Sequence, residues 1–126
     1  MRNQTILVVD DDSAVCSFVQ TVLTRAGFRV QLACSGEAGL ALYHEAPADA
    51  VLLDLNLPDA CGLDVLAVLR AFNPNVRCAM MHGGSTDHSD DDLLAAGAVE
   101  VVLKPFSAEK IVEVASRLTM ASSTVQ

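Results

Sequence analysis

Short apolar runs alternate along the chain with longer segments in which apolar residues recur every three or four positions. Four of the runs are nearly continuous, as strands buried on both faces of a parallel sheet are. The run at residues 28–32 alternates apolar and polar residues instead, which is typical of a strand with one wetter face. We therefore predict that this second strand lies at an edge of the sheet. The five predicted strands cover residues 6–9, 28–32, 50–54, 76–81 and 99–103.

A predicted helix follows each strand. The first helix is the clearest, because its apolar residues occupy the i, i+3, i+4, i+7 and i+8 positions of one face. These residues are Val15, Phe18, Val19, Val22 and Leu23. The other four helices are predicted at residues 35–45, 63–72, 87–97 and 107–118. Strict alternation predicts an α/β fold with a doubly wound five-stranded parallel sheet of order 2-1-3-4-5, a flavodoxin-like three-layer sandwich with five helices.

Length and composition indicate a single domain. With 126 residues the chain is long enough for one hydrophobic core and too short for two. We assign residues 1–120 to this domain and residues 121–126 to a tail or the start of a linker. Hydrophobic residues make up 52% of the chain, yet no apolar stretch approaches the roughly 18 residues that a membrane span requires. The first residues do not resemble a signal peptide, so we expect a cytoplasmic protein that does not bind membranes.

The charge of the chain restricts the partners that it can bind. Asp and Glu residues number 16 against 8 Lys and Arg, which gives a net charge of -8 and disfavours direct binding to nucleic acid. We expect proteins or cations as partners. Four cysteines show no C-x-x-C spacing, and we interpret them as reduced, partly buried thiols.

Charged side chains are predicted to gather at one edge of the sheet, because the carboxyl ends of parallel strands all lie there. Asp10 and Asp11 follow the first strand, Asp54 ends the third, His82 follows the fourth and Lys104 follows the fifth. Three nearby carboxylates repel one another, and a hard divalent cation such as Mg²⁺ offsets that repulsion. We expect Asp11 and Asp54 to bind this ion directly and Asp10 to bind it through water. Held beside Mg²⁺ and Lys104, Asp54 can act as a nucleophile toward a phosphoryl group.

Each of these residues also has a simpler interpretation. Residues 10–12 could do no more than cap the first helix, and we expect Asp12 or Ser13 to serve as that cap. Lys104 alone could be an ordinary solvated charge on the surface. Taken together, however, the residues favour a site, because Asp54 ends a strand predicted to be buried on both faces.

Three segments resemble the signature segments of the receiver domain of two-component response regulators. They are Val8-Val9-Asp10-Asp11, Asp54-Leu55-Asn56-Leu57-Pro58 and Lys104-Pro105-Phe106, in the order, spacing and strand context of that family. The resemblance covers essentially the whole chain. It implies a phosphoacceptor signalling domain of a phosphorelay, in which Asp54 takes a phosphoryl group from a histidine kinase or a phosphotransfer protein.

The resemblance also implies a role for each matching residue. Asp10 and Asp11 would bind Mg²⁺, with Mn²⁺ as an alternative, together with Asp54 and the backbone carbonyl of Asn56. Lys104 would pair with the phosphoryl group, and the bond between Lys104 and Pro105 would be cis. Such a domain is not an enzyme in the ordinary sense, although it takes part in its own phosphorylation and dephosphorylation. Its signal would pass by conformational change to an output domain or target protein that the sequence does not identify.

Two positions depart from the family pattern. His82 stands where receivers usually carry Thr or Ser, the hydroxyl of which bonds to the phosphoryl group and shifts inward on activation. Val101 stands where an aromatic residue often accompanies that shift. The imidazole of His82 can also donate a hydrogen bond, but it is larger than a hydroxyl. It could bind the phosphoryl group, point away from it or plug the pocket.

Two further hypotheses follow from these departures. A pseudo-receiver would keep the fold and act as a phosphorylation-independent protein-interaction module. Alternatively, His82 would join the aspartates and select a transition metal such as Mn²⁺ or Zn²⁺, because imidazole suits those ions better than it suits Mg²⁺.

Overall fold

The structure is a computed structural model that describes residues 4–84 and 86–123, with the side chains of this part up to residue 120. The last helix runs to Ser123, three residues into the segment predicted to be a tail. Residues 124–126 lie outside the described part of the chain. The domain boundary at residue 120 therefore stays a prediction.

Five parallel strands form one sheet in the order β2-β1-β3-β4-β5, as the alternating pattern predicted. The strands are β1 (Thr5–Val9), β2 (Arg29–Ala33), β3 (Ala50–Asp54), β4 (Cys78–His82) and β5 (Glu100–Leu103). The second strand lies at an edge, and its side chains are only partly covered except at Ala33. All five residues of β3 are buried, which explains why its sequence is continuously apolar up to Asp54.

Five helices cover the two faces of the sheet. They are α1 (Ser13–Arg25), α2 (Gly36–Glu45), α3 (Gly62–Phe72), α4 (Asp90–Ala95) and α5 (Ala108–Ser123). Asp12 caps α1 by accepting hydrogen bonds from the backbone N–H groups of Ala14 and Val15, as expected. The predicted start of the fourth helix at residue 87 is too early. Ser89 and Asp92 form a capping box there, so regular helix begins only at Asp90.

Each strand places alternate side chains on opposite faces of the sheet, and this divides the core in two. Leu7 and Val9 of β1 belong to the core beneath α2, α3 and α4. Ile6 and Val8 belong to the core beneath α1 and α5. The predicted three-layer sandwich is thus confirmed. No helix in the described ranges is long and apolar enough to cross a membrane.

The register of the strands aligns their carboxyl ends. Val9 of β1 pairs with Leu53 of β3, so the residues that follow them, Asp10 and Asp54, lie at the same level at the ends of the two strands. Asp54 in turn pairs with Met81, the residue before His82. Because parallel strands share one polarity, this edge collects the polar residues that end each strand.

Candidate functional site

Three aspartates meet at the carboxyl edge of the sheet. Asp10, Asp11 and Asp54 each offer a carboxylate oxygen, and these oxygens lie within 4.8 Å of one another. Asp10 is fully buried and Asp54 is 5% exposed, whereas Asp11 is open to solvent. The structure therefore brings together the three carboxylates that the sequence predicted to converge.

The ammonium group of Lys104 joins two of these carboxylates. Its Nζ lies 2.7 Å from Oδ2 of Asp10 and 3.3 Å from Oδ2 of Asp54. The backbone N–H of Lys104 donates a hydrogen bond of 2.7 Å to the carbonyl of His82, which fixes the end of β5 against the end of β4. The bond between Lys104 and Pro105 is cis, as the resemblance implied.

Burial and mutual repulsion set the charge state of this cluster. Burial raises the pKa of Asp54 above its ordinary value, and the charge of Asp10 raises it further, while Lys104 and the N–H of Asn56 oppose the rise. Burial alone would lower the pKa of Lys104, but its bond to Asp10 and the charge of both carboxylates raise the pKa overall. Lys104 thus remains an ammonium ion at neutral pH, where it lies beside two of the three clustered carboxyl groups.

The carboxylate oxygens of Asp10 and Asp54 differ in the distances to their partners. Asp10 uses Oδ2 for Lys104 and accepts a bond of 2.9 Å at Oδ1 from the N–H of Asp12. Asp54 makes longer contacts. The backbone nitrogen of Asn56 lies 3.4 Å from its Oδ1, and Nζ of Lys104 lies 3.3 Å from its Oδ2. Direct binding of a cation by Asp11 and Asp54, and binding through water by Asp10, stay predictions. Three clustered carboxylate oxygens are hard donors, which fit Mg²⁺.

The loop after Asp54 is folded back on itself. The carbonyl of Leu55 accepts from the N–H of Gly62 at 2.6 Å, and the N–H of Leu57 donates to the carbonyl of Ala60 at 3.2 Å. These two bonds flank a bridge between Asn56 and its partner Cys61 and do not use the Asn56 carbonyl. The bridge therefore leaves the Asn56 carbonyl available to another partner. Its role as a metal ligand stays a prediction.

The ring nitrogens of His82 contact residues outside the cluster of Asp10, Asp11 and Asp54. Its Nδ1 accepts a hydrogen bond of 2.9 Å from the N–H of Gly84, so the hydrogen of the neutral ring lies on Nε2. This Nε2 faces Oδ1 of Asp90, the first residue of α4, at 3.4 Å. Of the three arrangements left open for His82, these two contacts favour the one in which the ring points away from Asp54.

His82 also stands outside the group of acidic side chains that could share an ion. Within residues 4–84 and 86–120, the group close enough to do so contains Asp10, Asp11 and Asp54. This disagrees with the hypothesis that imidazole joins the aspartates to select a transition metal. At the other departure from the family pattern, Val101 pairs with Met80 and packs as a partly buried aliphatic residue against the core.

Sequence reasoning missed one carboxylate of this edge. Asp59, in the loop after Asp54, accepts hydrogen bonds from the N–H groups of Gly36 at 2.8 Å and Glu37 at 3.0 Å. These bonds lower the pKa of Asp59 and hold the first turn of α2. An Asp after a proline in a loop was the available signal, but the sequence does not reveal that its target lies 23 residues earlier.

The chain matches a known family along most of its length. The family model described as the response regulator receiver domain matches residues 6–116. The cell cycle transcriptional regulator CtrA of Caulobacter vibrioides is 35% identical over 107 residues, which are 85% of this chain and 46% of CtrA. The transcriptional regulatory protein TcrX of Mycobacterium tuberculosis is 36% identical over 110 residues, which are 86% of this chain and 46% of TcrX.

Solved structures agree with these sequence matches. A response regulator receiver domain protein (CheY-like) from Methanospirillum hungatei JF-1 has a TM-score of 0.89 and 26% identity, and the match covers 98% of this chain and all of that one. The present chain spans less than half the length of CtrA and TcrX.

Proposed function

Because the chain belongs to the family of response regulator receiver domains, we propose that it receives a phosphoryl group on Asp54 and relays this signal within a two-component system. The observation that carries the proposal is the position of Asp54. It ends a fully buried strand, faces two further carboxylates and lies 3.3 Å from the ammonium of Lys104.

The aspartates would hold Mg²⁺, or Mn²⁺ in its place. Asp11 and Asp54 would bind it directly, Asp10 would bind it through water, and the carbonyl of Asn56 would complete the protein's share of the ligands. When bound, the cation supplies positive charge that offsets the charge of an incoming phosphoryl group.

Asp54 is the nucleophile in this proposal. A carboxylate oxygen of Asp54 attacks the phosphorus of a phosphohistidine, a new O–P bond forms and the N–P bond of the donor breaks. The electron pair of that bond leaves on the imidazole nitrogen of the partner. Lys104 contributes its ammonium on the side of Asp54 Oδ2, where it attracts the phosphoryl oxygens.

The partner in this scheme is a histidine kinase or a phosphotransfer protein. Catalytic turnover belongs to that partner, so the chain is a substrate that assists its own phosphorylation and dephosphorylation rather than an ordinary enzyme. We further propose a cytoplasmic location and an output domain or separate target protein that responds to the phosphorylated form. The pseudo-receiver alternative gains no support, because Asp10, Asp54 and Lys104 lie in mutual contact.

Mass spectrometry after incubation with a small acyl phosphate and Mg²⁺ tests the proposal. We expect the parent chain to gain the mass of one phosphoryl group, and we expect chelation of Mg²⁺ to prevent the gain. Asp54→Asn should gain nothing, whereas Asp87→Asn, which changes an exposed loop carboxylate, should behave as the parent does. Circular dichroism establishes that both variants are folded. An unmodified parent chain, or a phosphorylated Asp54→Asn variant, would overturn the assignment.

A further inference from the structure

A cavity of about 340 Å³ opens between the start of α1 and the end of β2, beside the acidic cluster. Asp10 and Asp11 line it on the side of the site. Cys16, in the first turns of α1, and Cys34, the residue after β2, line it as well. The proposed transfer of a phosphoryl group to Asp54 uses neither thiol.

Two hydrogen bonds place Cys16 and Cys34 next to the same residue, Asp10. The Sγ of Cys16 donates to the carbonyl of Asp10 at 3.2 Å, and the N–H of Asp10 donates to the carbonyl of Ala33 at 3.0 Å. Ala33 is the residue before Cys34. Burial raises the pKa of Cys16, and the charges of Asp10 and Asp12 raise it further. Both cysteines thus lie beside Asp10 and share one cavity.

The segment that follows Cys34 is also fixed. Ser35 caps α2 by accepting from the N–H of Ala38 at 3.1 Å, and Asp59 accepts from the first two N–H groups of that helix, those of Gly36 and Glu37. Cys34 is therefore an exposed thiol on an anchored turn, whereas Cys16 is partly buried behind it. An oxidant in solution reaches Cys34 first.

The other two cysteines lie elsewhere in the fold. Cys61 precedes α3, and Cys78 is fully buried in the core, where burial raises its pKa to about 12. Neither lines the cavity that Cys16 and Cys34 share. This makes Cys61 a useful internal control for thiol reactivity.

We propose that Cys16 and Cys34 form a redox modification site, at which a hydroperoxide oxidises Cys34 and Cys16 then closes an intramolecular disulfide. In the first step the Cys34 sulfur takes one oxygen from hydrogen peroxide, the O–O bond breaks, and a sulfenic acid and water result. In the second step the Cys16 sulfur attacks that sulfenic sulfur. The S–S bond forms, the S–O bond breaks, and the hydroxyl leaves as water with the proton of the Cys16 thiol.

The disulfide would join α1 to the end of β2 across the cavity wall formed by Asp10 and Asp11. The expected consequence rests on the proposed function. We expect the oxidised form to bind Mg²⁺ more weakly and to accept a phosphoryl group on Asp54 more slowly. Disulfides in reducing compartments are characteristically transient and regulatory, which suits a bond beside a signalling site.

The decisive experiment treats the full chain with hydrogen peroxide and follows its mass and peptide map. The expected result is a monomer that has lost two hydrogen atoms, a peptide pair linking residues 16 and 34, and full reversal by dithiothreitol. Cys16→Ser and Cys34→Ser should each abolish this product, and Cys61→Ser should leave it unchanged. In Cys16→Ser, Cys34 should instead accumulate oxygen.

Three results would overturn the proposal: a parent chain whose thiols all stay reduced, oxygen added to Cys34 while Cys16 remains free, or a disulfide between two copies of the chain. Phosphorylation of the reduced Cys34→Ser variant separates this inference from the proposed function. If that variant takes no phosphoryl group while the cysteine map is as expected, the phosphoacceptor assignment fails and the redox site stands.

Discussion

Replacement of Asp54 by Asn should stabilise the fold in the absence of divalent cations. Asp54 has a raised pKa because it is buried and faces Asp10, so the folded state holds its proton more tightly than the unfolded state does. The stabilisation that comes from the protonated group is complete below the ordinary pKa of 3.8 and is lost as the pH rises through the higher folded value. Above the folded pKa of Asp54 the parent chain therefore carries the full penalty, and Asp54→Asn does not.

The geometry indicates the size of this effect. At an effective dielectric constant of about 20, attraction between Asp54 and Lys104 at 3.3 Å contributes about 5 kcal/mol, and repulsion from the carboxylate of Asp10, which lies within 4.8 Å, costs about 3.5 kcal/mol or more. The attraction is shared, since Lys104 lies closer to Asp10 than to Asp54. These contributions nearly cancel, and the cost of removing the Asp54 carboxylate from water decides the sign. We expect a gain on the order of 1 to 2 kcal/mol in the free energy of unfolding.

Urea unfolding at several pH values, with a chelator present, measures this gain. The midpoint for Asp54→Asn should exceed that of the parent at pH 7 with an unchanged slope, and the difference should shrink as the pH falls toward 3.8. Mg²⁺ should reverse the order, because at 100 times its dissociation constant it adds about 2.7 kcal/mol to the parent and much less to the variant. Asp87→Asn is the matched control. The reasoning would be refuted by a variant that is less stable than the parent at pH 7. It would also be refuted by a gain in stability that is the same at every pH.

Three other changes test the neighbourhood of the site. Lys104→Met leaves the fully buried carboxylate of Asp10 without the ammonium 2.7 Å away, so urea unfolding should show a loss of about 3 kcal/mol that Mg²⁺ partly restores. Gly62→Ala would place a Cβ 2.6 Å from a backbone oxygen, and we expect its melting temperature to fall by an amount that corresponds to about 2 kcal/mol or more. Gly83→Ala, where a Cβ meets nothing within 4 Å, is the control and should change little. Asp90→Asn weakens the contact with the β4 histidine and should speed amide exchange in α4 while changing stability by less than about 1 kcal/mol.

The fold was predictable because its signals are local and repeated. The continuous apolar run that ends at Asp54 indicates a strand buried on both faces, and the alternating run at residues 28–32 indicates an edge. Parallel pairing then brings the ends of β1, β3 and β5 together without any further information. For that reason the convergence of Asp10, Asp54 and Lys104 followed from the order of the strands alone.

The details that the sequence did not provide depend on contacts between distant segments. The orientation of His82 is set by the N–H of Gly84 and by Asp90, and either of these could have faced solvent instead. The late start of α4 depends on Ser89, within a mostly acidic run, taking the capping position. The link from Asp59 to α2 joins loops of different strands, and no local pattern predicts such a pair.

The contact of Asp59 with α2 also makes two amide hydrogens into reporters of the loop beside Asp54. The N–H groups of Gly36 and Glu37 belong to another helix, yet their protection from exchange depends on a carboxylate five residues after Asp54. A movement of that loop that breaks these two hydrogen bonds releases both hydrogens to solvent. An NMR experiment that follows only these two amide signals can therefore register events at Asp54 from outside the acidic cluster.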